Sequence, residues 1–232
     1  METIRAAWGL VASLDPALVQ IVTLSLRVSI SAVLISVLIG APLGAALAIW
    51  KFRGRQVVII FSNAMMALPP VVVGLGVYLM LSRAGPLGHF GLLFTPGAMI
   101  IAQSILILPI ILALTREAVI PLNRDYDELL TSLDVRGLQK LRTLLWDARF
   151  GVTTAVLAGF GRAIAEVGAV LIVGGNINGL TRVMTTTIAL ETSKGNLELA
   201  LALGLILISI AVIINAIIYT IGQFGRRYQE AT

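Results

Sequence analysis

The sequence predicts an all-α protein that crosses a membrane five times, and three observations carry that prediction. Hydrophobic residues make up 58% of the 232 and charged residues only 12%, far from the balance of a soluble domain. Five runs are long and apolar enough to span hydrocarbon, which takes about 20 helical residues at a rise of about 1.5 Å each. Lys and Arg, finally, gather in alternate connections between those runs.

The runs are Leu18–Trp50, Val57–Leu81, Leu92–Thr115, Gly151–Val173 and Leu197–Ile221. They are too long for core strands, and a backbone in lipid must satisfy its own hydrogen bonds, so each reads as a helix. The first exceeds one crossing, so it tilts or projects, with Arg27 near its outer end. Lys51, Arg53 and Arg55 follow span 1. Arg116, Arg124, Arg136, Lys140, Arg142 and Arg149 lie between spans 3 and 4, and Arg226 and Arg227 follow span 5. The opposite side holds Arg5, Arg83, Arg182 and Lys194, so the positive-inside rule places the N-terminus outside and the C-terminus in the cytoplasm.

Three parts follow: an outer interfacial helix over 1–17, a transmembrane domain over 18–222 with a cytoplasmic loop at 116–150, and a cytoplasmic tail over 223–232. The leader has no basic start and no small-residue cleavage site, so it does not read as a signal peptide. Trp8, Leu10, Val11 and Leu14 instead recur at helical spacing, as in a helix lying on the outer interface.

The composition also excludes functions. There is no Cys, hence no disulfide, thiolate site or cysteine nucleophile. His89 is the only histidine, set in the glycine-rich stretch Gly85–Gly91; alone it cannot build a zinc site, and it reads as a solvated loop residue rather than a proton relay. No catalytic, metal or cofactor residues are assigned, and a membrane enzyme ranks last. The net charge of +5 follows topology and does not point to nucleic acid.

The loop at 116–150 interrupts an otherwise bilayer-compatible chain. Its six basic residues are matched by six acidic ones, Glu117, Asp125, Asp127, Glu128, Asp134 and Asp147, so it is a poor lipid-headgroup binder. Two helical patterns run through it: Leu129, Leu130 and Leu133, then Leu138, Leu141, Leu144 and Leu145. They are separated by Asp134-Val135-Arg136-Gly137. The acids favour the positive end of the first helix, which Asn123 or Asp125 can cap. An apolar face set among charges fits a helix inserted into a partner's groove.

Polar and helix-breaking residues inside the spans are the other candidates. Arg162 and Glu166 sit four apart in span 4 and can pair on one face. Either they line or brace a path, or they lock span 4 to its neighbours, because charge at this depth costs about 2.5–3.5 kcal/mol. Pro69 and Pro70 must kink or break span 2, and irregular backbone there is tolerated inside protein or against a cavity. Pro109 has the weaker claim. Thr185, Thr186 and Thr187 between spans 4 and 5 either offer hydroxyls to a tetrahedral oxyanion or serve capping and packing. Arg27 either attracts anions or snorkels to the interface. Gly40 and Gly44 form a small-residue face on span 1, and Gly222 and Gly225 flank the end of span 5. Such faces allow close helix approach within or between protomers.

The loop resembles the coupling loop of type I ABC importer permeases. Glu128 takes the Glu of the Glu-Ala-Ala pattern, Leu129 and Leu130 the Ala positions, Asp134 the Gly position and Trp146-Asp147 the hydrophobic-Pro end. The region after it is similar to permeases for molybdate and tungstate. It runs Gly161-Arg162-Ala163-Ile164-Ala165-Glu166-Val167-Gly168-Ala169, then Gly174-Gly175-Asn176, Thr181-Arg182-Val183-Met184-Thr185-Thr186-Thr187, Ile188 to Thr192, and Leu197 to Gly204. Glu-Val-Gly with Arg-Val-Met-Thr-Thr looks like the tungstate branch, whereas molybdate relatives tend to carry Glu-Phe-Gly. Oxyanion permeases also carry a run similar to Pro69-Pro70-Val71-Val72.

The resemblance covers about 18–222. It implies a permease that translocates tungstate delivered by an external oxyanion-binding protein, with molybdate or sulfate as alternatives. It also implies a second copy of the chain, cytoplasmic ABC ATPase subunits, and a multi-pass place in the plasma membrane of a bacterium or archaeon. The residues expected to couple to the ATPase are Asp125, Asp127, Glu128, Leu129, Leu130, Leu133, Asp134, Arg136 and Gly137. Those expected at the path or gate are Pro69, Pro70, Arg162, Glu166, Thr185 and Thr186. The sequence has no Gly-x-x-x-x-Gly-Lys-Ser/Thr, so ATP hydrolysis is expected in a separate chain. A secondary transporter is the less favoured reading, since it needs coupling-ion sites or repeats, and only Glu166 is a strongly embedded acid.

Overall fold

The computed structural model describes residues 15–230, with side chains through Ile214 and at Ala216, Ile217 and Thr220. Of the expected interfacial helix, residues 1–14 lie outside the described residues. The helices are α1 (Pro16–Ile49), α2 (Arg55–Met66), α3 (Pro70–Leu81), α4 (Pro96–Asp125), α5 (Asp127–Ser132), α6 (Gly137–Asp147), α7 (Arg149–Ile164), α8 (Gly168–Gly174), α9 (Met184–Ser193) and α10 (Leu197–Glu230). A 3₁₀ turn at Gly88–Phe90 carries His89, which is exposed and stacks on Phe90 at 4.0 Å.

Three helices are each long and apolar enough to cross a membrane: α1, α4 and the Leu197–Ile214 part of α10. The other two spans are broken, as expected for span 2 at its prolines and contrary to the single helix expected for span 4. Span 2 is the bent pair α2 and α3, turned by 104°, and span 4 is the pair α7 and α8, turned by 60°. Counting each pair as one span gives five. In span 2 the kink or break expected at the prolines is a full break. Pro69 is extended (φ −61°, ψ 128°), and Pro70 opens α3, where its missing N–H costs nothing. Span 4 breaks over 165–167 with no proline present. Pro109 and Pro121, by contrast, ride inside α4, and Pro42 inside α1.

The Cα packing divides the chain into two compact units. The first takes the described part of Met1–Ala32 with Pro69–Ser104 and Gly161–Ile214. In it α3 lies against α8 at glycine contacts. A Cβ on Gly74 would stand 2.7 Å from Ala169 Cα, and one on Gly168 would stand 2.8 Å from Val71 Cγ2. Gly74→Ala is therefore expected to destabilise the chain by about 1–3 kcal/mol, because a backbone atom cannot yield as a side chain can. Gly76→Ala meets nothing within 4 Å and is expected to stabilise α3 by up to about 1 kcal/mol. Melting of the detergent-purified variants checks both signs.

The second unit takes Val33–Leu68, Ile105–Phe160 and the described part of Asn215–Thr232. Its glycines settle which surface the small-residue face of span 1 serves: Gly40 packs on Leu108 and Ile111, and a Cβ on Gly44 would overlap the Leu112 carbonyl oxygen. The close approach is between α1 and α4 of one chain. Around it, Ala45, Val119, Leu130, Leu141, Leu144 and Ala148 form one buried cluster, which seats α5 and α6 on α1 and α4.

Large apolar side chains stay exposed along the spans. They include Ile30, Leu34 and Leu38 on α1, Val71, Leu75 and Leu79 on α3, and Ile208 and Val212 on α10. Apolar surface this extensive suits hydrocarbon or a protein partner rather than water.

Candidate functional site

The break in span 4 is built by side chains that take over backbone groups the helix gives up. Glu166 is central: Arg162 Nη1 donates to its Oε2 at 2.7 Å, and Ala169 N–H donates to its Oε1 at 3.1 Å. Its side chain is 3% exposed and that of Arg162 35%. Both carboxylate oxygens are thus engaged inside protein, which is the condition under which a buried charge is tolerated. Thr185 Oγ1 donates to the Glu166 carbonyl at 2.7 Å, and Gln103 Nε2 donates to the Ala163 carbonyl at 3.1 Å.

Pro70 begins α3 beside this break, since Val71 packs on Gly168. Of the residues expected at a path or gate, the structure thus brings Arg162, Glu166 and Thr185 together, with the Pro69–Pro70 turn adjoining them. Thr186 stands next to Thr185 in the first turn of α9. Its hydroxyl donates to Asn176 Oδ1 at 2.9 Å and accepts from Val183 N–H at 3.2 Å. Thr187 Oγ1 donates to the Val183 carbonyl at 2.6 Å. All three threonines are buried. Arg27 is exposed on α1, and no hydrogen bond or ion pair joins it to a described residue.

Sequence reasoning missed Gln103, Ser25 and Ser29. With Glu166, Thr185 and Ala163 among its neighbours, they line a cavity of about 10 Å³. Ser25 Oγ accepts from Met184 N–H at 2.7 Å and donates to the Ile21 carbonyl at 2.8 Å, tying α1 to the start of α9. The available signal was a buried polar stripe, Ser25 and Ser29 at helical spacing with Gln103 in another apolar run.

In the charged loop the two helices and the break between them fall where the pattern predicts, with shifted boundaries. Residues 116–125 continue α4, so the loop proper is shorter than 116–150, and its first helix is Asp127–Ser132. The expected cap is corrected. The residue before α5 is Tyr126, no side chain caps it, and Asn123 and Asp125 belong to the last turn of α4. Asp127 and Glu128 do occupy the first turn of α5. Lys140 on α6 bonds Asp127 Oδ1 at 2.8 Å, and this hydrogen bond, more than charge alone, holds the Asp127 carboxyl below its ordinary range.

Asp134 and Gly137 adopt φ 52° and 57°, the left-handed region that glycine favours and that aspartate tolerates best among charged residues. Arg136 pairs with Asp134 at 2.6 Å, both exposed. The expected leucine face splits: Leu130 is buried with Leu141 and Leu144, while Leu129 (58% exposed), Leu133 (64%) and Leu138 point outward. Trp146 is 71% exposed, with the Arg149 guanidinium 5.5 Å above its ring.

Broken spans held by buried polar side chains, and an outward leucine pair beside acids, mark a polytopic membrane transport component. The chain belongs to the family described as binding-protein-dependent transport system inner membrane component, which it matches over residues 16–224. It is 42% identical over 220 residues to a probable anion ABC transporter permease protein of Haloferax volcanii, covering 93% of this chain and 92% of that one. It is 41% identical over 222 residues to the tungstate uptake system permease protein TupB of Peptoclostridium acidaminophilum, covering 96% and 97%. To TupB of Campylobacter jejuni it is 40% identical over 168 residues, covering 72% and 70%.

Proposed function

We propose that this chain is the membrane permease of an ATP-driven importer for tungstate. The observation that carries the reading is the 41% identity, coextensive with nearly the whole chain, to a tungstate uptake permease. Two copies would form the translocation unit, with the N-termini outside and the charged loops in the cytoplasm. An external binding protein would deliver the oxyanion. A separate ATPase pair would bind α5 and the residues that flank it through Asp125, Asp127, Glu128, Leu129, Leu133, Asp134, Arg136 and Gly137, with Leu130 anchoring the helix from within.

ATP-driven closure of the ATPases would pull α5, and the buried cluster beneath it would carry that motion into α1 and α4. The path would open to the two sides in turn because loaded and empty partners bind the two states differently. Pro69, Pro70, Arg162, Glu166, Thr185 and Thr186 would form or brace the gate. Glu166 is already neutralised by Arg162, so the pair does not repel an anion as a lone carboxylate would.

Uptake by proteoliposomes holding this chain, its ATPase and its binding protein tests the proposal. ATP-dependent accumulation of tungstate above molybdate and sulfate is expected. Preference for sulfate would overturn the substrate, and uptake indifferent to ATP would overturn the transport class.

A further inference from the structure

We propose that Gln103 and Thr185 are positioning residues of the transport cycle, a latch that holds the break of span 4 shut without touching the anion. The proposal rests on the permease reading above and concerns residues 163–169, where the helix gives up its regular bonds. In a continuous helix the Ala163 carbonyl would take the Val167 N–H and the Glu166 carbonyl the Val170 N–H. Here Ala163 accepts from Glu166 N–H at 3.2 Å and from Gln103 Nε2 at 3.1 Å, and Glu166 accepts from Thr185 Oγ1 at 2.7 Å. The latch therefore reaches the break from two separate elements, α4 and α9. The Gln103 bond is broken if α4 moves away from 163–166, and the Thr185 bond if α9 does.

The cavity beside the break indicates what these side chains do not do. Gln103 is 4% exposed, and its Oε1 has no hydrogen-bond partner. The amide cannot be turned round, because its oxygen would then face the Ala163 carbonyl at the same short distance. Gln103 thus brings an unpaired acceptor to the lining of a cavity that Glu166 also lines. A fully deprotonated tetrahedral oxyanion has no proton to donate there. The space of about 10 Å³ is at the lower bound of what one water needs. The closed break admits at most a water that donates to Gln103, and the anion is kept out by size and by the unpaired acceptor.

The chain has no cysteine, so Ile164→Cys, at a buried position that lines the cavity, gives it a single thiol whose exposure reports opening of the break. It is followed in the full transporter by thiol alkylation rate and by anion taken up per ATP hydrolysed. Thr185→Val removes the hydroxyl at nearly constant shape, and Gln103→Leu removes the amide. Each is expected to speed alkylation about fivefold and to lower the uptake per ATP. Thr185→Ser keeps the donor and is expected to restore slow alkylation and coupling. If Thr185→Val does not accumulate, Gln103→Leu decides. Equal alkylation and coupling in the parent, the serine variant and whichever donor-free variant folds would overturn the latch. Absence of ATP-dependent uptake in the parent would instead overturn the permease reading, and the alkylation contrast would still judge the latch.

Discussion

Arg162→Leu is expected to destabilise the protein by about 3–5 kcal/mol, because it leaves the Glu166 carboxylate buried with one backbone N–H for compensation. Thermal unfolding of the detergent-purified chain reads this loss. Adding Glu166→Gln removes the stranded charge while keeping an oxygen for Ala169 N–H, so the double variant is expected to return to within about 1–2 kcal/mol of the parent. Stability and transport then separate. Arg162 uses Nη1 on Glu166 while its side chain remains 35% exposed, leaving donors free to face a path. The stable double variant is therefore expected to remain poor in uptake. Full recovery of uptake would remove Arg162 from the path and leave the pair a purely structural brace.

Leu129→Asp/Leu133→Asp is the second large effect, and it falls on assembly rather than folding. Both side chains are more than half exposed and one turn apart on and just past α5, whereas Leu130 between them anchors the helix in the cluster with Leu141 and Leu144. Losing two apolar anchors and adding charge to a groove contact is expected to weaken ATPase binding by about 2–4 kcal/mol, roughly 30- to 1000-fold. Co-purification with the ATPase subunit measures it, and the melting temperature of the isolated chain should stay near that of the parent. Glu128→Arg, reversing a charge in the first turn of α5, is expected to act in the same direction. Unchanged recovery of the ATPase with all three substitutions would remove the loop from the coupling interface.

The charged loop was legible because its signals are local. Acids precede a leucine run, and Asp134 and Gly137 stop it. The resemblance even put Asp134 at a glycine position, and φ 52° there gives the physical sense of that match. The split of the leucines was not legible. Leu129, Leu130 and Leu133 look alike in sequence, and only the presence of Ala45, Val119, Leu141 and Leu144 on one side turns Leu130 inward. The cap failed for a related reason: α4 continues through Asn123 and Asp125, so neither was free to begin a helix.

The two breaks show the same division. Pro69-Pro70 announces itself, since a ring nitrogen has no hydrogen to give wherever it stands. The break at 165–167 carries no such residue. There Gln103 and Thr185, 60 and 19 positions from their partners, each supply a bond that a straight helix would not need. Hydropathy, charge bias and proline chemistry are properties of short stretches of chain, so the sequence by itself determined a helical membrane protein, its long apolar runs and the family it resembles. Which glycines touch, which leucine turns inward and which polar groups hold the break in span 4 depend on residues up to 159 positions apart, as in the Ser25–Met184 bond. Only the tertiary structure decided those, because a buried polar group must find its partner in space rather than along the chain.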